Sequence, residues 1–89
     1  MKNINIGIVG SGYVGITTGV SFAHKGFNVS LCDTNQDIVK GLNEGKCHFY
    51  EQGLDALLHK YVKQQKIKAY TDINEIVNKS DIIFICVGT

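Results

Sequence analysis

The sequence predicts an α/β fold: a parallel sheet with helices on both faces. Three observations carry this expectation. Apolar, β-branched runs alternate with segments of helical periodicity along all 89 residues, the alternation from which parallel sheets are built. The first run opens into a glycine-rich turn, "GSGYVG", at the start of a helical stretch. An acid, Asp33, then closes the second run, about 20 residues after that turn.

The elements follow in order. Ile4 to Val9 ("INIGIV") is short, apolar and β-branched, and reads as a buried strand. A helix is expected from Tyr13 to Lys25, stopped by Gly26. Gly15 and Gly19 are four residues apart, so they share a face of that helix and leave a smooth stripe for close backbone packing. A glycine in a helix interior costs about 1 kcal/mol, so two of them point to a packing role. Phe27 to Cys32 ("FNVSLC") is the second strand. Thr34 or Asn35 caps a helix running to Glu44, with Gly45 as its stop and Ile38, Val39 and Leu42 on its apolar face. After the loop "KCHFYEQG", Leu54, Leu57, Leu58, Tyr61 and Val62 have the spacing of an amphipathic helix. Lys60, Lys63 and Lys66 are assigned to its solvated side. "IKAYT" is a short third strand, and "DINE" has capping-box form, with Asp72 as the cap and Glu75 three residues on. The helix it opens runs through Val77. "SDIIFICVGT" is the last strand, apolar from Ile82 to Val87, followed by Gly88 and Thr89. Right-handed crossovers then give a Rossmann-type sheet with strand order 3-2-1-4.

Composition narrows the function. Net charge is +1, so no strong field draws nucleic acid or a membrane surface. All nine basic residues are lysines, so the guanidinium fork often used on phosphates is absent. The three cysteines, Cys32, Cys47 and Cys86, form no C-x-x-C pair, which fits a reducing, cytoplasmic setting better than a disulfide framework. The N-terminus lacks the pattern of a signal peptide, and no apolar run approaches the roughly 20 residues of a membrane span. No metal site is expected, because neither His24 nor His59 has ligand spacing and Cys47 beside His48 has no further ligands nearby. Cys32 and Cys86, inside apolar strands, are expected to be small buried hydrophobes.

The chemistry lies in the glycine loop. Gly10, Gly12 and Gly15 match G-x-G-x-x-G between a strand and a helix. Gly10 permits the tight turn, Gly12 lets a pyrophosphate approach the backbone, and Gly15 lets the helix sit against the strand. The helix N-terminus offers free N–H groups and partial positive charge to the phosphates. Asp33, at the end of the second strand, suits the ribose hydroxyls of an adenosine and repels a 2′-phosphate. NAD is therefore expected over NADP. Gly10, Ser11, Gly12, Tyr13, Val14, Gly15 and Asp33 are the expected cofactor contacts, joined by Gly88 and Thr89 at the exit of the fourth strand.

"IGIVGSGYVGITTGVSFAHKGFNVSLCD", "NEGKCHFYEQGL" and "SDIIFICVGT" together resemble the N-terminal part of the UDP-glucose/GDP-mannose dehydrogenase family. The resemblance implies NAD as cofactor and oxidation of a sugar-nucleotide alcohol to a carboxylate, with UDP-glucose as the first expectation among UDP-sugars. It also implies two hydride transfers, a cysteine thioester and a homodimer. The family's catalytic cysteine and its partners lie beyond the matching segment, so no catalytic residue is expected here. Residues 1–89 then read as the first part of an NAD-binding domain, without the sugar-nucleotide domain and inactive alone. Two departures stand out. Ile38 occupies a position where the family usually has Lys or Arg, and Gln52 replaces the proline of Y-E-P-G-L. A stand-alone nucleotide-binding regulatory module, or a 3-hydroxyacid-type dehydrogenase, would share the glycine loop and Asp33. The Y-E-x-G-L and V-G-T segments weigh against the latter.

Overall fold

The computed structural model describes residues 4–86. Its elements are β1 (Asn5–Val9), α1 (Tyr13–His24), β2 (Asn28–Cys32), α2 (Gln36–Asn43), α3 (Leu54–Lys63), β3 (Ile67–Tyr70), α4 (Ile73–Lys79) and β4 (Ile82–Ile85). The four strands form one parallel sheet in the order β3-β2-β1-β4. This is the Rossmann-type arrangement expected from the alternation of elements.

Side chains alternate across a strand, and the sheet uses the alternation unequally. Ile6 and Ile8 of β1, Val29 and Leu31 of β2, and Ile67 and Ala69 of β3 share one core with Ile16, Val20 and Ala23 of α1, Val39 and Leu42 of α2, and Leu54, Leu58 and Tyr61 of α3. Three helices thus cover one face. Gly19 packs directly on it: a Cβ there would stand 3.1–3.3 Å from Leu31, Ile8 and Val29. Among the described residues the other face receives only α4, which approaches β1 so closely that a Cβ on Gly7 would collide with Ser80 and Ile76.

The caps explain the helix bounds. Asn35, not Thr34, caps α2, its side chain accepting from the N–H groups of Asp37 and Ile38. Asp72 caps α4 through Asn74 N–H at 2.9 Å, but the reciprocal half of the expected capping box is not made. Glu75 turns instead toward Lys79, 3.8 Å away. Other corrections follow from packing. Leu57 is exposed although its spacing puts it with Leu54 and Leu58; it lies at the margin of the apolar stripe. Lys66 lies beyond the end of α3 and donates to the Gly26 carbonyl. β4 is apolar yet all four of its residues are exposed, because it is an edge strand whose faces are only partly roofed. Cys86 follows that strand and is half-buried against the core rather than enclosed within it.

Candidate functional site

Strand register builds the site. Val9 pairs with Cys32 and with Ile85, and Cys32 pairs with Tyr70. The residues that follow each strand therefore emerge side by side at the carboxyl edge. The ladder carries on one step further, with Gly10 N–H donating to the Cys32 carbonyl at 2.9 Å and Asp33 N–H to that of Tyr70 at 3.1 Å. Gly10 and Asp33 are brought together in this way. With Val9, Cys32, Thr34, Thr71, Asp72 and Ile73 they line a cleft of about 440 Å³.

Each glycine of the loop has a distinct geometry. Gly10 turns the chain at φ +105°, a backbone region that glycine enters without strain. A Cβ on Gly15 would run into the Gly10 carbonyl oxygen, so the first turn of α1 closes on the loop only because no side chain stands there. Gly12 is the reverse case. A Cβ there would meet nothing within 4 Å, so its Cα faces open space in front of the helix end. Gly12 is also the N-cap of α1, which has no side-chain cap and no acid in its first turn. By contrast, Asp37, Asp55 and Glu75 occupy the first turns of α2, α3 and α4. Unsatisfied N–H groups and the positive end of the helix dipole therefore point, uncompensated, into the space before Gly12.

The acid at the end of β2 is fixed in place. One Asp33 oxygen accepts from Asn35 N–H at 2.8 Å, and the other accepts from the Ser11 hydroxyl. Partial burial works to raise the Asp33 pKa. Hydrogen bonds from the Ser11 hydroxyl, Asn35 N–H and Ser11 N–H, with the charge of His48, outweigh that effect and hold the carboxyl below its ordinary value. Asp33 is thus an anion at neutral pH. These donors take up part of the capacity of its roughly four lone-pair sites, and the rest remains for a donor in the cleft.

The other expected contacts separate. Ser11 is only 1% exposed, and its hydroxyl is engaged by Asp33 rather than by the open cleft. Tyr13 and Val14 are exposed at the start of α1, where Tyr13 lies 6.1 Å from the Phe49 ring. Tyr13 and Thr17 face the "YEQG" loop across a second groove of about 300 Å³, lined also by Glu51, Gln52, Gly53 and Leu57. The loop is formed without the proline. Gly53 takes φ +82° and Leu54 N–H closes a turn on the Glu51 carbonyl at 3.0 Å. Tyr50 stands 87% exposed. Ile38 is partly buried against the core, so that position serves packing. Gly88 and Thr89 lie outside the described residues.

Thr71, Asp72 and Ile73 form the far wall of the cleft; sequence reasoning assigns Asp72 a capping role only and places none of these three in the site, though the third strand ends there, as Asp33 ends the second. Two of the cysteines have raised thiol pKa values. Burial, followed by hydrogen bonding and charge from Asp55, pushes the Cys47 thiol up to about 12. Burial, helped by Asp33 and Asp72, also raises the Cys32 thiol. Neither is a thiolate at neutral pH, as a cysteine nucleophile would need to be. His24 is held by Tyr61, its Nδ1 2.7 Å from the hydroxyl. Among the described residues, no group of three or more His, Cys, Asp or Glu is placed to hold a metal ion, and no helix is long and apolar enough to cross a membrane.

Known proteins share both sequence and shape. The profile of the UDP-glucose/GDP-mannose dehydrogenase family, NAD binding domain, matches residues 4–89. An uncharacterised protein of Methanocaldococcus jannaschii is 43% identical over 86 residues, covering 97% of this chain and 9% of that protein. The UDP-glucose 6-dehydrogenase TuaD of Bacillus subtilis is 39% identical over 84 residues, covering 94% of this chain and 18% of its own length. The structure of a UDP-glucose dehydrogenase from Pyrobaculum islandicum superimposes with a TM-score of 0.92 at 34% identity, covering 99% of this chain and 20% of that one. The chain thus spans a fifth or less of the length of these proteins.

Proposed function

The chain belongs to the UDP-glucose/GDP-mannose dehydrogenase family, its residues 4–89 matching the NAD-binding domain, and we propose that it holds the adenosine diphosphate half of NAD for a dehydrogenase acting on a UDP-sugar. The substrate proposed is UDP-glucose, oxidised to UDP-glucuronate. One observation carries the reading: Gly10 of the glycine turn and the fixed, ionised Asp33 carboxylate line one cleft at the carboxyl edge of the sheet, and the uncapped end of α1 begins at Gly12, two residues after Gly10. N–H groups of the loop from Gly10 to Gly15 would hold the pyrophosphate, with Ser11, Tyr13 and Val14 contributing backbone only. Asp33 would accept from the ribose hydroxyls. The open approach at Gly12 suits a phosphate lying against the backbone. Gly88 and Thr89 are proposed as further contacts from the exit of β4. When bound, NAD supplies the hydride acceptor.

The sugar-nucleotide domain and the catalytic groups are proposed to lie outside these 89 residues, in a protein that works as a cytoplasmic homodimer. The high thiol pKa of Cys47 fits a chain that binds cofactor without carrying the nucleophile. Calorimetry of the chain with NAD, NADP and UDP-glucose tests the proposal. NAD should bind, NADP should bind more weakly, UDP-glucose should not bind, and mixing all three should yield no NADH. Binding of UDP-glucose without NAD would overturn it.

A further inference from the structure

Ser11 occupies a variable x of the glycine fingerprint, a place from which no side-chain role follows. Here it is almost wholly enclosed, so its hydroxyl cannot reach a ligand in the cleft. The hydroxyl donates instead to Asp33, 22 residues away in sequence. Asn35 N–H holds the other oxygen of the same carboxylate. With a protein donor on each oxygen and the Ser11 N–H beside them, the plane of the carboxylate is set, and acceptor capacity remains toward the cleft that Asp33 lines. That is the complement of a vicinal diol, which offers two O–H donors side by side. A 2′-phosphate offers an anion in place of a donor and meets a carboxylate that cannot swing aside.

We propose that Ser11 is a positioning residue: through its hydroxyl it holds the Asp33 carboxylate in the diol-accepting orientation and thereby sets the preference for a dinucleotide with both adenosine ribose hydroxyls free. The proposal rests on the NAD reading above and deepens it. The asymmetry of the support is the reason for choosing Ser11. The Asn35 tie comes from the backbone of the turn that Asp33 itself begins, and persists whatever the side chains. The Ser11 hydroxyl and N–H both tie the glycine loop to the end of β2, and of the two only the hydroxyl depends on the side chain.

The test uses Ser11→Ala and Ser11→Cys in the full chain, the second a somewhat larger side chain with a weaker donor. NAD and NADP affinities are measured by calorimetry and the Asp33 carboxyl is titrated by NMR. Ser11→Ala should weaken NAD binding about tenfold, the scale of one hydrogen bond to a charged group. It should narrow the NAD-to-NADP ratio and move the Asp33 midpoint upward; Ser11→Cys should fall between. In an Asp33→Ala background, Ser11→Ala should have no further effect on NAD. Equal losses in both backgrounds would mean that Ser11 merely supports the loop, and would overturn the proposal. An unmoved Asp33 midpoint with unchanged NAD affinity would also overturn it. If no variant and no parent chain binds NAD, the cofactor reading fails on its own. The Asp33 midpoint then still decides whether Ser11 holds the carboxylate.

Discussion

β1 and β4 are neighbours in the same sheet and both are runs of apolar residues, yet they live in different surroundings. Ile8 of β1 is fully buried, whereas Phe84, its register partner in β4, is 37% exposed. Ile85, at the end of β4, is 65% exposed. β1 has strands on both sides and helices above and below, while β4 is an edge roofed in part by Phe22, whose ring stacks on Phe84 at 5.3 Å. Hydrophobicity alone therefore fixes which residues prefer to leave water. Position in the strand order decides which of them do.

The largest expected effect tests that directly. Ile8→Ala should destabilise the chain by about 2–5 kcal/mol, the cost of emptying a packed site. Phe84→Ala, one strand away in the same row, should cost less than half as much, since its ring already meets water. Urea unfolding of both variants measures the contrast, and equal losses would break it. The opposite face gives a second pair. Gly7→Ala would drive a methyl into Ser80 and Ile76 beneath α4 and should cost about 1–3 kcal/mol, as overpacking does. Ile83→Ala, its register partner in β4, should cost less in the same melt.

The same carboxyl edge organises the site, because the residues after β1, β2 and β3 line the cleft there. Asp33→Asn should weaken NAD binding by roughly 1–3 kcal/mol, as expected for hydrogen bonds to a charged group. An unchanged dissociation constant would remove Asp33 from the site. Because the folded-state pKa of Asp33 is depressed, its charge and the stability it contributes are present above the ordinary carboxylate pKa. Both are lost only as pH falls through the lower folded value. NAD affinity should therefore stay flat between about pH 8 and pH 5, with any loss confined to more acid solution.

Much of this was legible in the sequence, for local reasons. Gly10 and Gly15 are legible because a tight turn and a close helix each exclude a side chain. Asp33 is legible because parallel strands of similar length bring their ends to one edge. Asn35 and Asp72 are legible because capping is decided within three residues. What stayed hidden depends on groups distant in sequence. The Ser11 bond to Asp33 joins two loops that only the register brings together. Glu75 faces a choice between closing a capping box and pairing with Lys79, which spacing does not resolve. Leu57 has core spacing, but α3 meets the sheet along a stripe too narrow to include it.

β4 offers the smallest effect and the sharpest discrimination. Its backbone edge and its exposed isoleucines form a surface of the kind that pairs with other chains. If exposure at β4 reflects only its edge position, a lysine at Ile85 should find water for its ammonium and cost the fold little. Ile85→Lys is expected to change unfolding free energy by less than about 0.5 kcal/mol, the usual range for surface substitutions. It should also raise the concentration at which the chain begins to self-associate, measured by light scattering, since a charge on an edge strand opposes strand pairing. A lysine at Ile8 would instead bury an ammonium without a partner and should prevent folding. A large destabilisation by Ile85→Lys would mean that β4 is packed as β1 is, and the difference between the two strands would disappear.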